Sequence, residues 1–290
     1  MNKANNLKTA SLFLLPSSLL FLIFVFLPLF NTIYTSLFLT DVAGHRSVFD
    51  GLGNYIRLFE SSVFQTGFWA TLIFVLIIVP VTLLLSLGLA YLTLEHFKGV
   101  QLFRTIFSSS MGVSVAAGSI FWLFIFNPKG LINSVLSGLN LPAVGWLTTP
   151  SLALIAIAIA TIWMNTGFAY LILLGGMQGV DPSLYEASRI AGVKKWTEFR
   201  RITLPMISPS LYFVLTISVI QAFQVFGQID LLTKGGPSNA TSLLTYQIYQ
   251  DAFLNYNQGR ASAGAVILFL LVLVVTLLQS HFSSRKVHYQ

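Results

Sequence analysis

Ser218, Gln221, Gln224 and Gln228 recur at helical spacing inside a stretch, about 209–229, that holds no Asp, Glu, Lys, Arg or His. On a straight helix turning ~100° per residue they fall within about 120° of one another and form one polar stripe. Amides and a hydroxyl in such a place have neither the acidity nor the nucleophilicity for catalysis. They exchange hydrogen bonds, either with a hydroxyl-rich solute or with neighbouring helices that they hold together. Phe223 and Phe226 lie beside the stripe and offer flat ring faces. Trp163, Asn165 and Tyr170 repeat the mixture in another apolar stretch. A second candidate cluster is a loop containing Glu186, Ala187, Ser188 and Gly192, where small residues let another surface approach the backbone. Metal and thiol chemistry are not expected. Cysteine is absent, and His45, His96, His281 and His288 all fall outside the apolar stretches.

The elements that must position these groups are set by composition. Of 290 residues 55% are hydrophobic and 9% charged, against about 25% charged in a soluble domain. Apolar stretches free of Asp, Glu, Lys and Arg run at about 11–32, 68–94, 105–126, 152–176, 209–229 and 262–280. Each is long enough to cross a ~30 Å hydrocarbon core as a helix. The sequence therefore predicts an all-α, polytopic membrane protein with six transmembrane helices. Lys3 and Lys8 precede the first stretch, but its apolar run is too long for a signal peptide and no small-residue cleavage pattern follows. The expected divisions are 1–67 for the first helix and loop, 68–280 for the transmembrane domain, and 281–290 for a tail.

Orientation follows from the basic residues. With the N-terminus inside, Lys3, Lys8, Lys98, Arg104, Arg189, Lys194, Lys195, Arg200, Arg201, Arg285 and Lys286 are internal, and Arg46, Arg57, Lys129, Lys234 and Arg260 are external. The acidic residues split nearly evenly, so the net charge of +7 belongs to the inner face. Both termini are then cytoplasmic, and the charge is a match for anionic lipid rather than nucleic acid. No Asp, Glu, His, Lys or Arg lies in the spans, which argues against a proton-coupled carrier. No phosphate-binding G-x-x-x-x-G-K-[ST] loop occurs either, so energy for active transport must come from another subunit.

The loop between the fourth and fifth spans, about 181–209, begins with Asp181-Pro182, a helix cap with proline at the first helical position. Gly192 is a natural stop. A second short helix is expected over about Lys194–Ile202, with Trp196 and Phe199 as its apolar contacts, before Pro205 and Pro209 interrupt the chain. Read from spacing alone, this is a helix-turn-helix on the membrane surface, and an ordinary amphipathic helix would read the same way.

Glu186-Ala187-Ser188, Gly192, Phe199, Ile202, Leu204-Pro205 and Pro209 resemble the EAA loop of binding-protein-dependent ABC importer permeases. Two positions depart from that pattern: Ser188 replaces the second alanine, and Ala191 stands where an aspartate usually precedes the glycine. Leu232-Thr233-Lys234-Gly235-Gly236-Pro237, followed by Thr241, Leu243, Tyr246, Tyr249, Ala252-Phe253 and Gly259, is similar to the external loop of the carbohydrate-type members. Gly51-Leu52-Gly53-Asn54-Tyr55 and Phe126-Asn127-Pro128 fit the maltose and glycerol-3-phosphate subunits.

The resemblance implies a type I ABC importer permease fold in a bacterial cytoplasmic membrane. It implies four kinds of partner: a homologous second permease forming a heterodimer, two ATPase subunits, an extracellular solute-binding protein and a small-molecule substrate. ATP and Mg would be bound by the ATPases, with no cofactor in this chain. Glu186, Ala187, Ser188, Gly192, Phe199, Leu204 and Pro205 would couple to the ATPase. The expected cargo is a sugar or related polyol; the alternatives are glycerol-3-phosphate, an acidic sugar or another small solute.

Overall fold

The computed structural model describes residues 13–95 and 97–283. Lys3, Lys8, His96, Arg285, Lys286, His288 and the first two residues of the predicted first span lie outside that range. Among the described residues five helical stretches are long and apolar enough to cross a membrane, and a sixth is a pair bent by 71°. The described chain forms two compact units. One holds the residues up to Ser61 together with Gln247–Phe269, and the other holds Ser62–Tyr246 together with the residues from Leu270. The N-terminal region thus shares its unit with the start of the last span, a division the sequence did not suggest.

In the first unit α1 (Phe13–Thr35) widens into a π-turn at Leu22–Phe26, just before Pro28 withdraws one backbone N–H. It buries none of its most apolar window. After α1 comes an antiparallel hairpin that periodicity did not reveal, β1 (Phe38–Thr40) and β2 (Arg46–Phe49), with Phe38 opposite Phe49 and a bulge after Leu39. Helix α2 (Gly53–Glu60) follows, and its buried Asn54 donates 2.9 Å hydrogen bonds to the carbonyls of Ser36 and Phe38. These bonds give the Gly-Leu-Gly-Asn-Tyr segment a structural meaning: Gly51 takes a positive φ of 57° so that the chain can turn back.

In the second unit α3 (Ser62–Leu92) runs along α7 (Pro150–Gln178), the most extensively packed pair. Helix α7 is central because Ala153, Ala156, Ala158, Ala160, Gly167 and Ala169 carry little or no side chain and admit neighbouring backbones closely. Hydrogen bonds join the two helices at Ser86 Oγ to the Thr166 carbonyl (3.3 Å) and at Thr93 Oγ1 with the Tyr170 hydroxyl (2.8 Å). Arg104 donates to the Thr93 carbonyl at 2.7 Å, covering the end of α3 where carbonyls lack intrahelical partners.

Two predicted spans are not continuous helices. The third, expected over 105–126, is α4 (Val100–Ser108), a 3₁₀ turn (Ser109–Gly112), two extended residues, and α5 (Val115–Phe126) capped by Ser114. A short α6 (Leu131–Gly138) precedes α7. In the loop after it, α8 (Pro182–Ile190) and α9 (Lys195–Met206) form the expected helix-turn-helix. The fifth span, expected over 209–229, is α10 (Ser208–Phe223), a break, and α11 (Gly227–Leu232). The chain then forms α12 (Leu244–Tyr249), a π-turn at Gln250–Leu254, and the last span α13 (Gln258–Ser283).

Candidate functional site: a surface helix pair and a broken-helix passage

The helix pair between α7 and α10 is built from local rules. The Asp181 carboxylate caps α8 by accepting the Ser183 N–H at 2.9 Å, and that bond holds its pKa below the usual carboxylate range. Helix α8 ends on Gly192 at φ 65°, with the Val193 N–H on the Ser188 carbonyl and the Gly192 N–H on the Arg189 carbonyl. This is the two-bond left-handed stop that glycine adopts without steric cost. Pro205 lies in the last turn of α9, and Pro209 lies in the first turn of α10. The 71° bend between them turns the chain from the loop into the fifth span.

Side chains lock the pair onto the ends of α3 and α7. The Tyr185 hydroxyl meets Thr203 Oγ1 at 3.2 Å, and the Ser188 hydroxyl donates to the Glu198 carboxylate. Phe199 is buried, its ring 4.8 Å from Tyr91 and 5.7 Å from Trp196. Burying such a ring stabilises by about 1.5–3 kcal/mol. Lys195 pairs with Glu95; the hydrogen bond between them lowers the Glu95 pKa and raises that of Lys195. A groove of about 1040 Å³ lies between loop and helix ends, lined by Tyr91, Glu95, Tyr185, Glu186, Arg189 and Lys195 among others.

The predicted coupling residues therefore separate into two groups. Glu186, Ala187 and Gly192 are exposed. Ser188 and Phe199 are buried, and Leu204 packs against the core, so these three are turned into the packing rather than outward. Ser188 in particular is no part of an outer small-residue surface, because its hydroxyl is committed to α9. Two further residues face outward: Ile190 is 89% and Trp196 71% exposed. Ile190 escaped the sequence reading because one apolar residue at the end of a polar helix has no periodicity; its proximity to the Gly192 stop was the available signal.

In the fifth span the single polar stripe does not form. Gln224 leaves the helix (φ −101°, ψ 10°), and the Phe223 carbonyl freed there accepts from Thr245 Oγ1 at 2.7 Å. The stripe divides two and two. Gln221 and Gln224 are exposed, whereas Ser218 and Gln228 are buried, with Gln228 Nε2 3.5 Å from Met164 Sδ. Phe223 is buried as well, and Phe226 is half-buried with its ring 5.9 Å from Tyr246. In α7, Trp163 and Asn165 are half-buried, and Trp163 stacks on the exposed Phe121 at 5.7 Å. Tyr170 is fully enclosed with its hydroxyl on Thr93, which removes it from any passage.

The breaks in the third and fifth spans meet at glycines. A Cβ on Gly227 would lie 2.7 Å from Val115 Cγ1, one on Gly118 2.5 Å from Met164 Cε, and one on Gly167 2.5 Å from Ser110 Oγ. The Gly167 N–H donates to Ser110 Oγ at 3.1 Å. Non-helical backbone at membrane depth persists where it is buried in protein or faces a water-filled cavity. Ser109, Met111, Gly112 and Ser114 are exposed at the third-span break, and Gln221 and Gln224 are exposed at the fifth-span break. Such an arrangement can exchange hydrogen bonds with a polar solute and has no group that could break a covalent bond.

A family model described as "Binding-protein-dependent transport system inner membrane component" matches residues 83–288. An sn-glycerol-3-phosphate transport system permease protein of Yersinia pestis bv. Antiqua is 33% identical over 283 residues, covering 96% of this chain and 95% of that one. Its Escherichia coli counterpart (strain UTI89 / UPEC) is 31% identical over 279 residues, covering 95% and 94%. Among solved structures, a bacterial alginate ABC transporter in complex with an alginate pentasaccharide-bound periplasmic protein has a chain with TM-score 0.81 and 24% identity, covering 99% of this chain and 98% of that chain. A bacterial ABC transporter involved in alginate import aligns with TM-score 0.80 and 25% identity, covering 98% and 96%.

Proposed function

Because this chain belongs to the binding-protein-dependent transport system inner membrane component family, and so is a multi-pass permease subunit whose ATPase is a separate chain, we propose that it imports a sugar or related polyol. The observation that carries this reading is the exposed pair Gln221 and Gln224 at the break in a charge-free span. Amides pair with hydroxyls without needing a counter-charge. Glycerol-3-phosphate, named in the relatives, is the second reading; it is the same polyol chemistry with a phosphate.

A second, homologous permease completes the passage, and two ATPases bind ATP and Mg. The ATPase docks on Glu186, Ala187, Ile190 and Gly192. Phe199, Leu204 and Pro205 then transmit its movement through the bend into α10, rocking the helices between inward- and outward-facing states. Both termini are cytoplasmic, as the basic residues of the inner segments favour.

The test is uptake into proteoliposomes holding the complete transporter and its binding protein, with that protein's thermal shift measured against neutral sugars, polyols and glycerol-3-phosphate. A shift and uptake with a neutral sugar or polyol supports the first reading, and a response confined to glycerol-3-phosphate supports the second. A response confined to amino acids would overturn both.

A further inference from the structure

The first unit contains a polar cleft of about 530 Å³ where the end of α1 meets the start of α13, lined by Asn31, Thr32, Thr35, Arg46, Gln258 and Ser262 among others. Arg46 reaches over it from β2. Its guanidinium is held by neutral groups: Nε and Nη2 donate to Thr35 Oγ1 at 3.0 and 2.8 Å, Nη2 also to Asn31 Oδ1, and its carbon lies 4.7 Å from the Tyr34 ring centroid. The other two arginines of the unit are neutralised, Arg57 by Asp50 and Arg260 by Asp251. Among the described residues no carboxylate pairs with Arg46. Asp41, in the hairpin turn, is committed to the backbone N–H groups of Ala43 and His45 and to the His45 ring. The cleft thus offers a guanidinium with no carboxylate counter-charge, held by Nε and Nη2 and making no hydrogen bond through Nη1 among the described residues, ringed by hydroxyls and amides.

Its position says what fills it. Both Asn31–Thr35 and Gln258–Ser262 are at the ends of membrane-spanning helices, the level of the lipid headgroups. Tyr34, an interfacial residue type, marks the same level. Immediately along α1 the apolar side chains of Leu27, Phe30 and Ile33 are exposed and would lie beside acyl chains. We propose that the cleft binds the glycerophosphoryl headgroup of a membrane phospholipid. The phosphate would sit on the Nη1 group of Arg46 and the glycerol hydroxyls on the surrounding amides and hydroxyls. The two Nη1 hydrogens can make charge-assisted hydrogen bonds to phosphate oxygens, and such a bond is stronger at a membrane surface than in bulk water. Free glycerol-3-phosphate presents the same chemistry without the acyl chains, so the test separates the two sources.

The experiment is native mass spectrometry of the intact transporter complex titrated with phosphatidylglycerol, with diacylglycerol of the same chains, and with phosphatidylglycerol in the presence of glycerol-3-phosphate. The unaltered protein should retain phosphatidylglycerol in preference to diacylglycerol, undisturbed by glycerol-3-phosphate. Arg46→Gln should weaken retention about tenfold, as expected for loss of one charge-assisted hydrogen bond. Ser262→Leu, which fills the cleft without touching the arginine, should do the same, and Arg57→Gln should not. Retention by Arg46→Gln and Ser262→Leu equal to that of the unaltered protein would overturn the proposal, as would equal retention of diacylglycerol. Displacement by glycerol-3-phosphate would overturn the lipid assignment in favour of a free solute. Unchanged lipid retention with weakened binding-protein affinity in Arg46→Gln would assign the arginine to a protein carboxylate instead.

Discussion

Replacing Gly167 by alanine tests how the third span is held broken. The new Cβ would lie 2.5 Å from Ser110 Oγ, 2.8 Å from the Met111 nitrogen and 3.1 Å from the Ser108 carbonyl oxygen. The serine hydroxyl can swing aside, but the two main-chain atoms cannot. Reaching an ordinary contact of ~3.4 Å requires α7 and the 3₁₀ turn to separate by roughly half an ångström, and overpacking of this kind costs about 1–3 kcal/mol. The Gly167 N–H to Ser110 Oγ bond would stretch or break, a loss of about 0.5–1.5 kcal/mol. Alanine's better helix propensity returns up to ~1 kcal/mol. The net expectation, with the full ~1 kcal/mol of propensity returned, is a destabilisation of about 0.5–3.5 kcal/mol, read as a lower thermal midpoint of the purified complex, with solute uptake reduced in proteoliposomes.

The same helix supplies the control. Gly175 has no atom within 4 Å of its would-be Cβ, so Gly175→Ala should match or exceed the unaltered protein. Ser110→Ala, which removes the hydrogen bond without the clash, should cost about 1 kcal/mol. Equal midpoints for Gly167→Ala and Gly175→Ala would refute the reasoning, because α7 would then not be pressed against the break.

Four shorter expectations accompany it. Bulky replacements at Glu186 or Gly192 should leave the protein inserted yet abolish substrate-stimulated ATP hydrolysis; Gly192 adds backbone strain of about 1–2 kcal/mol because φ is positive there. Unchanged coupling in both would remove the docking role. Gln221→Leu should lower uptake with little change in thermal midpoint, because the side chain is exposed, whereas Gln228→Leu should change the midpoint; the reverse pattern would overturn the division of the stripe. Ser188→Ala should loosen α8 from α9, detected as faster hydrogen exchange in Thr197–Phe199. The caps of the loop should also respond to acid. Asp181 has a depressed pKa, so its contribution is complete above the unfolded-state value and is lost as pH falls through the lower folded value. The Asp181→Asn protein should therefore show a flatter acid limb in exchange of the Ser183 amide.

Where the two breaks fall was illegible for a definite reason. Gln221 through Gln228 reads as an uninterrupted amphipathic helix, and only Gly227 hints otherwise. What makes the break tolerable is Thr245, some twenty residues later, whose hydroxyl takes the stranded Phe223 carbonyl. Likewise Ser109–Gly112 carries no proline, and its turn is fixed by Gly167 on another helix. Tyr170 and Trp163 are both aromatic residues of the same apolar run; which of them is enclosed depends on Thr93 and Phe121 in other spans. In the loop, by contrast, Asp181, Pro182 and Gly192 act on their own backbone, and the cap and stop appear where the sequence put them.

The sequence by itself determined that the protein is a multi-pass helical membrane protein, because length, apolarity and the exclusion of charge from the spans are properties of each segment alone. It also determined the helix-turn-helix, through capping chemistry that reaches only a few residues. The tertiary structure alone decided the hairpin, the breaks, and which polar groups face inward or outward. Those outcomes depend on a partner's atom arriving within hydrogen-bond or van der Waals distance, and no periodicity within one helix encodes what a different helix brings to it.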